Sequence, residues 1–164
     1  MRPPLTKPVV IVQDLTHIYH PGTYLEKKAL EGVSFEICEA ECVAIVGETG
    51  SGKTTLIQHL NGLLKPDRGR VVVEGVEISQ SHGSLADLRR RVGLVFQYPE
   101  HQLFEETVGD DISFVLRQAS ILPPIEITAR VENACASVGL DYERFHRWSP
   151  FELSSGEMRR VALA

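Results

Sequence analysis

Cysteine, tryptophan, positive charge and long apolar runs are all in short supply in this sequence, and each shortage narrows what the chain can be. Cys38, Cys42 and Cys135 are its three cysteines, an odd and dispersed set without metal-ligand spacing. They read as reduced, mostly buried thiols, as in a cytosolic compartment. Lys and Arg number 17 against 22 Asp and Glu, a formal charge of −5 that argues against an extended nucleic-acid surface. No apolar stretch approaches membrane-spanning length, so any membrane role comes through a partner. Met1–Lys7 lacks the apolar core of a signal peptide, and neither an internal repeat nor a low-complexity tract interrupts the chain. What remains is ordinary for a globular domain: 164 residues, 43% apolar and 24% charged, enough for one domain with a real core.

The most informative stretch is Gly47-Glu48-Thr49-Gly50-Ser51-Gly52-Lys53-Thr54-Thr55, which fits the phosphate-loop pattern G-x-x-x-x-G-K-[ST] at every fixed position. Its context fits as well. Cys42-Val43-Ala44-Ile45-Val46 before it reads as a buried strand; Leu56, Ile57, Leu60, Leu63 and Leu64 after it fall at helical spacing, ended by Pro66. Glycines let several backbone N–H groups converge on one concavity, and the helix start adds its positive dipole end. Lys53 is placed to reach β- and γ-phosphates, and the Thr54 hydroxyl to ligate a bridging Mg²⁺.

Around this loop the chain reads in order. Val9–Val12 and Leu15–His20 are strand pieces leading to a Pro21-Gly22 turn. Tyr19 is either a platform for a nucleobase or a partly buried strand tyrosine, and Tyr24 competes for the first role. Val33, Phe35 and Ile37 alternate with Ser34 and Glu36, the pattern of a half-buried strand. Arg70–Ile78 reads as two strand pieces around a glycine turn, so an antiparallel sheet is expected beside a parallel core. Ser79–Ser84 reads as a loop and Leu85–Arg91 as a short helix with a solvated arginine run. Val92–Phe96 reads as a second apolar core strand with Gln97 at its carboxyl end, where functional side chains of open α/β sheets collect. Helices follow, over Thr107–Gln118, over the Ile127–Val138 periodicity, and after Ser154-Ser155-Gly156, whose serines suit an N-terminal cap. A boundary near Gln97–Pro99 then separates a core, 1–97, from a helical subdomain, 98–164.

Three of these stretches fall in one order: the phosphate loop, the segment ending in Gln97, and Leu153-Ser154-Ser155-Gly156-Glu157. Together they resemble the Walker A loop, Q-loop and signature motif of the nucleotide-binding subunit of ATP-binding cassette transporters, over essentially the whole chain. Phe96-Gln97-Tyr98-Pro99-Glu100-His101-Gln102-Leu103-Phe104 is similar to the Q-loop region of energy-coupling factor transporters. Pro21-Gly22-Thr23 and Glu26-Lys27-Lys28-Ala29-Leu30 resemble the same ATPases. The resemblance implies an α/β P-loop (RecA-like) core with an N-terminal antiparallel β subdomain and an α-helical subdomain, and an ATPase using ATP and Mg²⁺. Gly47 to Thr55 would hold the phosphates, with Thr54 and Gln97 on the metal and Gln97 also on the attacking water. Ser154, Ser155 and Gly156 would face the γ-phosphate of a nucleotide on a second cassette subunit, and Tyr19 would stack on adenine. The implied partners are that second ATPase (identical or not), a transmembrane scaffold and a separate membrane protein that captures a vitamin or metal ion. Nucleic acid is not among them, and the implied place is the cytoplasmic face of the membrane.

Ser155 stands where the family commonly has glycine, and Glu157 where it commonly has glutamine. Glutamate suits the helix dipole but adds negative charge near a triphosphate. The chain also stops at Ala164, before the family's Walker B aspartate, its neighbouring glutamate and the switch histidine. The resemblance therefore implies a copy incomplete at its C-terminus and inactive as a 164-residue chain. Two alternatives stand beside a transport ATPase: a nucleotide-binding module that does not hydrolyse, and a soluble cassette ATPase acting on DNA or ribosomes. The Gln97–Phe104 match and the acidic balance disfavour the latter.

Overall fold

The structure is a computed structural model and describes residues 7–78, 85–118 and 122–164; the loop expected over Ser79–Ser84 lies outside them. Two compact units divide the chain, Met1–Leu94 and Val95–Ala164.

Unit 1 is built on a four-stranded antiparallel sheet in the order β2-β1-β3-β4. The strands are β1 (Pro8–Tyr19), β2 (Lys27–Cys38), β3 (Arg68–Val73) and β4 (Val76–Glu77). The β-branched run Val9–Val12 makes β1 a natural central strand, pairing with β2 on one side and β3 on the other. Asp14 takes a positive φ of 48° where the β1–β2 register shifts, and the Ser34 hydroxyl satisfies its N–H at 2.9 Å. β3 and β4 join through Glu74-Gly75, whose φ values of 51° and 74° match the two positive dihedrals of the tight hairpin turn that fits sheet twist. In β2, Val33, Phe35 and Ile37 face partly inward while Ser34 and Glu36 are exposed, as the alternation predicts. Helix α1 (Lys53–Leu60) buries Thr55, Leu56 and His59, and the core gathers Val12, Leu15, Leu30, Leu56 and Val71, with Leu85 and Leu88 around the short helix α2 (Ala86–Arg91).

Two expected core strands do not form ladders. Cys42–Val46 and Val92–Phe96 run without strand pairing, and every strand pair among the described residues is antiparallel. Val46 is 89% exposed and Val95 59%, with Val43, Ile45 and Phe96 exposed as well. The apolar composition is that of strands buried in a parallel sheet. A strand, however, is made by its neighbours' N–H and C=O groups, and no described segment supplies them. The side chain of Asn61, just after α1, anchors the second segment by donating to the Val92 carbonyl at 2.8 Å.

Unit 2 is helical: α3 (Val108–Gln118), α4 (Pro124–Ser137), α5 (Tyr142–Phe145) and α6 (Ser155–Leu163), with 3-10 turns at Pro99–Gln102 and Pro150–Glu152. Its core is Leu103, Val108, Val131, Cys135, Leu140, Phe145, Leu153 and Val161. Of the three cysteines only Cys135 is buried; Cys38 is half-buried and Cys42 exposed, because Cys42 opens the unpaired segment.

The candidate nucleotide site

The phosphate loop leaves the unpaired segment at Val46 and enters α1 at Lys53. Gly52 caps the helix with φ of 92°, and a Cβ there would lie 2.5 Å from the Ala29 carbonyl of β2 and 2.9 Å from Leu30 Cδ2. Only glycine fits, both for its dihedral and for its closeness to the sheet. Gly50 (φ 85°) has open space where a Cβ would sit. Within the loop, Ser51 N–H donates to the Glu48 carbonyl at 3.2 Å, and Leu56 N–H closes the first helical turn onto the Gly52 carbonyl at 2.8 Å.

Lys53 folds back over its own loop. Its Nζ donates to the Gly47 and Glu48 carbonyls, each at 2.8 Å. No acidic side chain lies in the first turn of α1 and no side chain caps it, so the first N–H groups of this helix are not satisfied by a side chain. Beside the loop lies a cleft of about 170 Å³ lined by Tyr19, Lys27, Ala29, Gly50, Gly52, Lys53, Thr54 and Thr55. Tyr19 is half-buried there and its hydroxyl is 3.2 Å from Thr55 Oγ1; Tyr24 is 96% exposed and does not line the cleft. Thr54 is exposed to the same cleft.

Gln97, Ser154, Ser155 and Gly156 belong to unit 2. Gln97 is exposed on a bend just before the 3-10 turn Pro99–Gln102. Ser154 is the N-cap of α6 in a capping box: Glu157 N–H donates to Ser154 Oγ at 3.4 Å, while Ser154 N–H and its hydroxyl donate to Glu157 Oε2 at 2.9 and 2.6 Å. The hydroxyl and then the N–H of Ser154 hold the Glu157 carboxyl below its ordinary pKa, so the helix start carries its own anion. Gly156 has open space where a Cβ would sit. Arg159 on α6 reaches back to Glu100 at 3.2 Å and ties the turn after Gln97 to the helix of the serines. Glu100 is also held below the usual carboxylate range, chiefly by its own backbone N–H and then by Arg159.

Three residues of the cleft and its wall escape a reading of motifs. Lys27 stands opposite Tyr19 in the β1–β2 ladder and lines the cleft. His17 and His59 pack beneath Tyr19 and Thr55. Signals for the two histidines lie in spacing: His17 and Tyr19 are two apart on a strand, and Thr55 and His59 four apart on a helix, so each pair shares a face, whereas Lys27 is brought in only by the β1–β2 register.

A glycine-rich loop opening into a helix beside an antiparallel sheet, with a helical unit carrying a serine-capped helix, is the arrangement of a P-loop nucleotide-binding cassette. Comparison with known proteins gives the family. Residues 30–164 match the ABC transporter family, and the chain belongs to it. It is 50% identical over 153 residues to the energy-coupling factor transporter ATP-binding protein EcfA2 of Clostridium tetani, covering 93% of this chain and 53% of that protein. It is 52% identical to EcfA2 of Clostridium perfringens over the same share of each. Among solved structures it resembles cbiO1 of Clostridium perfringens, described as part of the ABC transporter complex cbiONQ, at TM-score 0.79 and 37% identity, covering 94% of this chain and 59% of that one. It also resembles the bacterial ABC transporter cassette MJ0796 in its dimeric structure, at TM-score 0.82 and 28% identity, over 94% and 67% of the two chains. The chain thus spans about half the length of the curated relatives it matches.

Proposed function

We propose that this chain is the nucleotide-binding part of an ATPase subunit that drives solute uptake through an energy-coupling factor transporter. The observation that carries the reading is the cleft in which Tyr19, Lys53, Thr54 and Thr55 meet a glycine-rich loop and the uncapped start of α1. In this reading Lys53 leaves the Gly47 and Glu48 carbonyls for the terminal phosphates, and Gly47 to Thr55 wrap them. Tyr19 offers its ring to the adenine. The donor set of Thr54 and Gln97 suits Mg²⁺, a hard cation that takes oxygen ligands and, when bound, neutralises charge on the phosphate oxygens. Gln97 in this reading senses the metal and the attacking water and couples the site to the membrane partner. Ser154, Ser155 and Gly156 face the nucleotide of a second cassette subunit; a relative described as a dimeric cassette supports the pairing of two such subunits. Residues 1–97 act as the phosphate-binding core and 98–164 as the helical subdomain. A transmembrane scaffold holds the pair at the cytoplasmic face of the membrane, a separate membrane protein captures the vitamin or metal ion, and nucleic acid has no part. No residue of these 164 matches the carboxylate that orients the attacking water, so this chain alone should bind ATP and release no phosphate above background.

Calorimetric titration of Mg-ATP into the chain and into Lys53→Ala tests the reading. Charge-assisted contacts contribute about 1.5–3 kcal/mol, so the variant should bind about tenfold to a hundredfold more weakly. Equal affinity in a folded variant rejects the phosphate-loop assignment.

A further inference from the structure

Behind Tyr19 stands a buried pair of imidazoles that the phosphate chemistry does not use. His17 lies on the same face of β1 as Tyr19 and meets it edge to face, centroids 4.7 Å apart at 85°. On its other side it meets His59 at 4.8 Å and 74°. His59 is 0% exposed, and its Nδ1 is 2.7 Å from the Thr55 carbonyl. A carbonyl only accepts, so this nitrogen carries the proton. Thr55 Oγ1 in turn meets the Tyr19 hydroxyl at 3.2 Å, which closes a circuit of Tyr19, Thr55, His59 and His17. Asp67 borders it: its Oδ2 accepts Ile18 N–H at 2.7 Å and lies 3.3 Å from His17 Nδ1, near enough for a charge but misaligned for a hydrogen bond. His17 Nδ1 is left buried without a hydrogen-bond partner, whereas His59 is held by the Thr55 carbonyl and also meets the Lys65 backbone.

An unpartnered buried nitrogen such as His17 Nδ1 weakens a fold, and an apolar ring there would serve stability better. What the pair does supply is shape. His17 presses its ring against the tyrosine, and His59, on the helix that follows the phosphate loop, presses against His17 from behind, so the tyrosine cannot turn inward without displacing His17 from its backing. We propose that His17, backed by His59, is a positioning residue for the nucleobase, fixing the Tyr19 ring at the mouth of the phosphate cleft before nucleotide arrives. Such pre-ordering raises affinity by removing a cost of binding rather than by adding a contact. The inference rests on the reading of Tyr19 as the base platform.

The test separates base from phosphate. Binding of Mg-ATP and of Mg-tripolyphosphate is measured by calorimetry for the chain and for Tyr19→Ala, His17→Ala, His17→Asn and His17→Phe, each checked by a thermal melt. His17→Ala and His17→Asn should weaken ATP about threefold to tenfold and leave tripolyphosphate unchanged, while His17→Phe, which keeps the ring, should stay within about twofold for both. ATP affinity unchanged in His17→Ala and His17→Asn, beside a loss in Tyr19→Ala, overturns the positioning role and spares the platform. Full ATP affinity in Tyr19→Ala overturns the platform and the positioning role together. Parallel losses for ATP and tripolyphosphate mark His17 as merely structural and also overturn it. Should His17→Ala fail to fold, the Phe and Asn variants decide alone: Asn weak and Phe tight supports the role, and any equality between them overturns it.

Discussion

At the scale of single residues, His59 shows how burial becomes pH dependence. Its pKa lies below the ordinary 6.5, chiefly because burial penalises the charged ring, with His17 adding to the same direction. The Thr55 and Lys65 backbone and Asp67 pull the other way and lose. The unfolded chain therefore takes up a proton near pH 6.5, whereas the folded chain takes it only at lower pH. Between those values the unfolded state binds more protons, so this contribution to stability is complete above pH 6.5 and is lost as pH falls through the folded value. Urea melts from pH 7.5 down to 5 should show falling stability, with a shallower fall in His59→Gln; identical slopes would assign the acid sensitivity to other groups. Gly52 is the complementary case at this scale. A Cβ at its φ of 92° would press on the Ala29 carbonyl, so Gly52→Ala should both destabilise unit 1 and weaken Mg-ATP. A melt and a titration of that variant check both effects, and a wild-type result in either contradicts the close approach.

At the scale of elements, α6 depends on its cap. Ser154 gives and takes hydrogen bonds with Glu157, and removing the serine side chain leaves the helix start to water. Ser154→Ala should lower stability by about 1 kcal/mol at an unchanged m-value, read from urea unfolding. Loss of the m-value as well would mean that the whole helix, not its first turn, had gone. The longer helices of unit 2 were legible in this chain, whereas the four-residue α5 gave no readable period. Val108, Ile112 and Leu116 recur on one face of α3, proline starts α4, and serines announce α6. β2 was legible for the same reason, since one face is wet and its alternation is plain. Cys42–Val46 and Val92–Phe96 misled because apolar composition reports the burial a segment suits, whereas a strand needs a partner that composition does not name. The two 3-10 turns were invisible because they have no period long enough to show. His17 and His59 are 42 positions apart, and only packing of α1 on the sheet brings them together.

At the scale of the whole molecule, two extended apolar segments face solvent. Val43, Ile45 and Val46 lead into the phosphate loop, and Val95 and Phe96 lead into Gln97. Unpaired backbone carrying such side chains invites edge-to-edge association. The chain should bind a hydrophobic dye and self-associate with rising concentration, and Val46→Thr with Val95→Thr should reduce both without lowering the melting temperature, since neither side chain is buried. A drop in melting temperature would show that these valines already pack somewhere in the folded chain. The position of the first segment has a further consequence. Gly47 follows Val46 directly, so the front of the loop is held by a segment without a ladder while its rear is held by α1. Whatever strand comes to lie beside Cys42–Val46 shares that segment with the nucleotide. If pairing tightens the loop, thermodynamic reciprocity requires nucleotide to strengthen the pairing by the same factor. Sheet completion and nucleotide capture would then be two readings of one equilibrium.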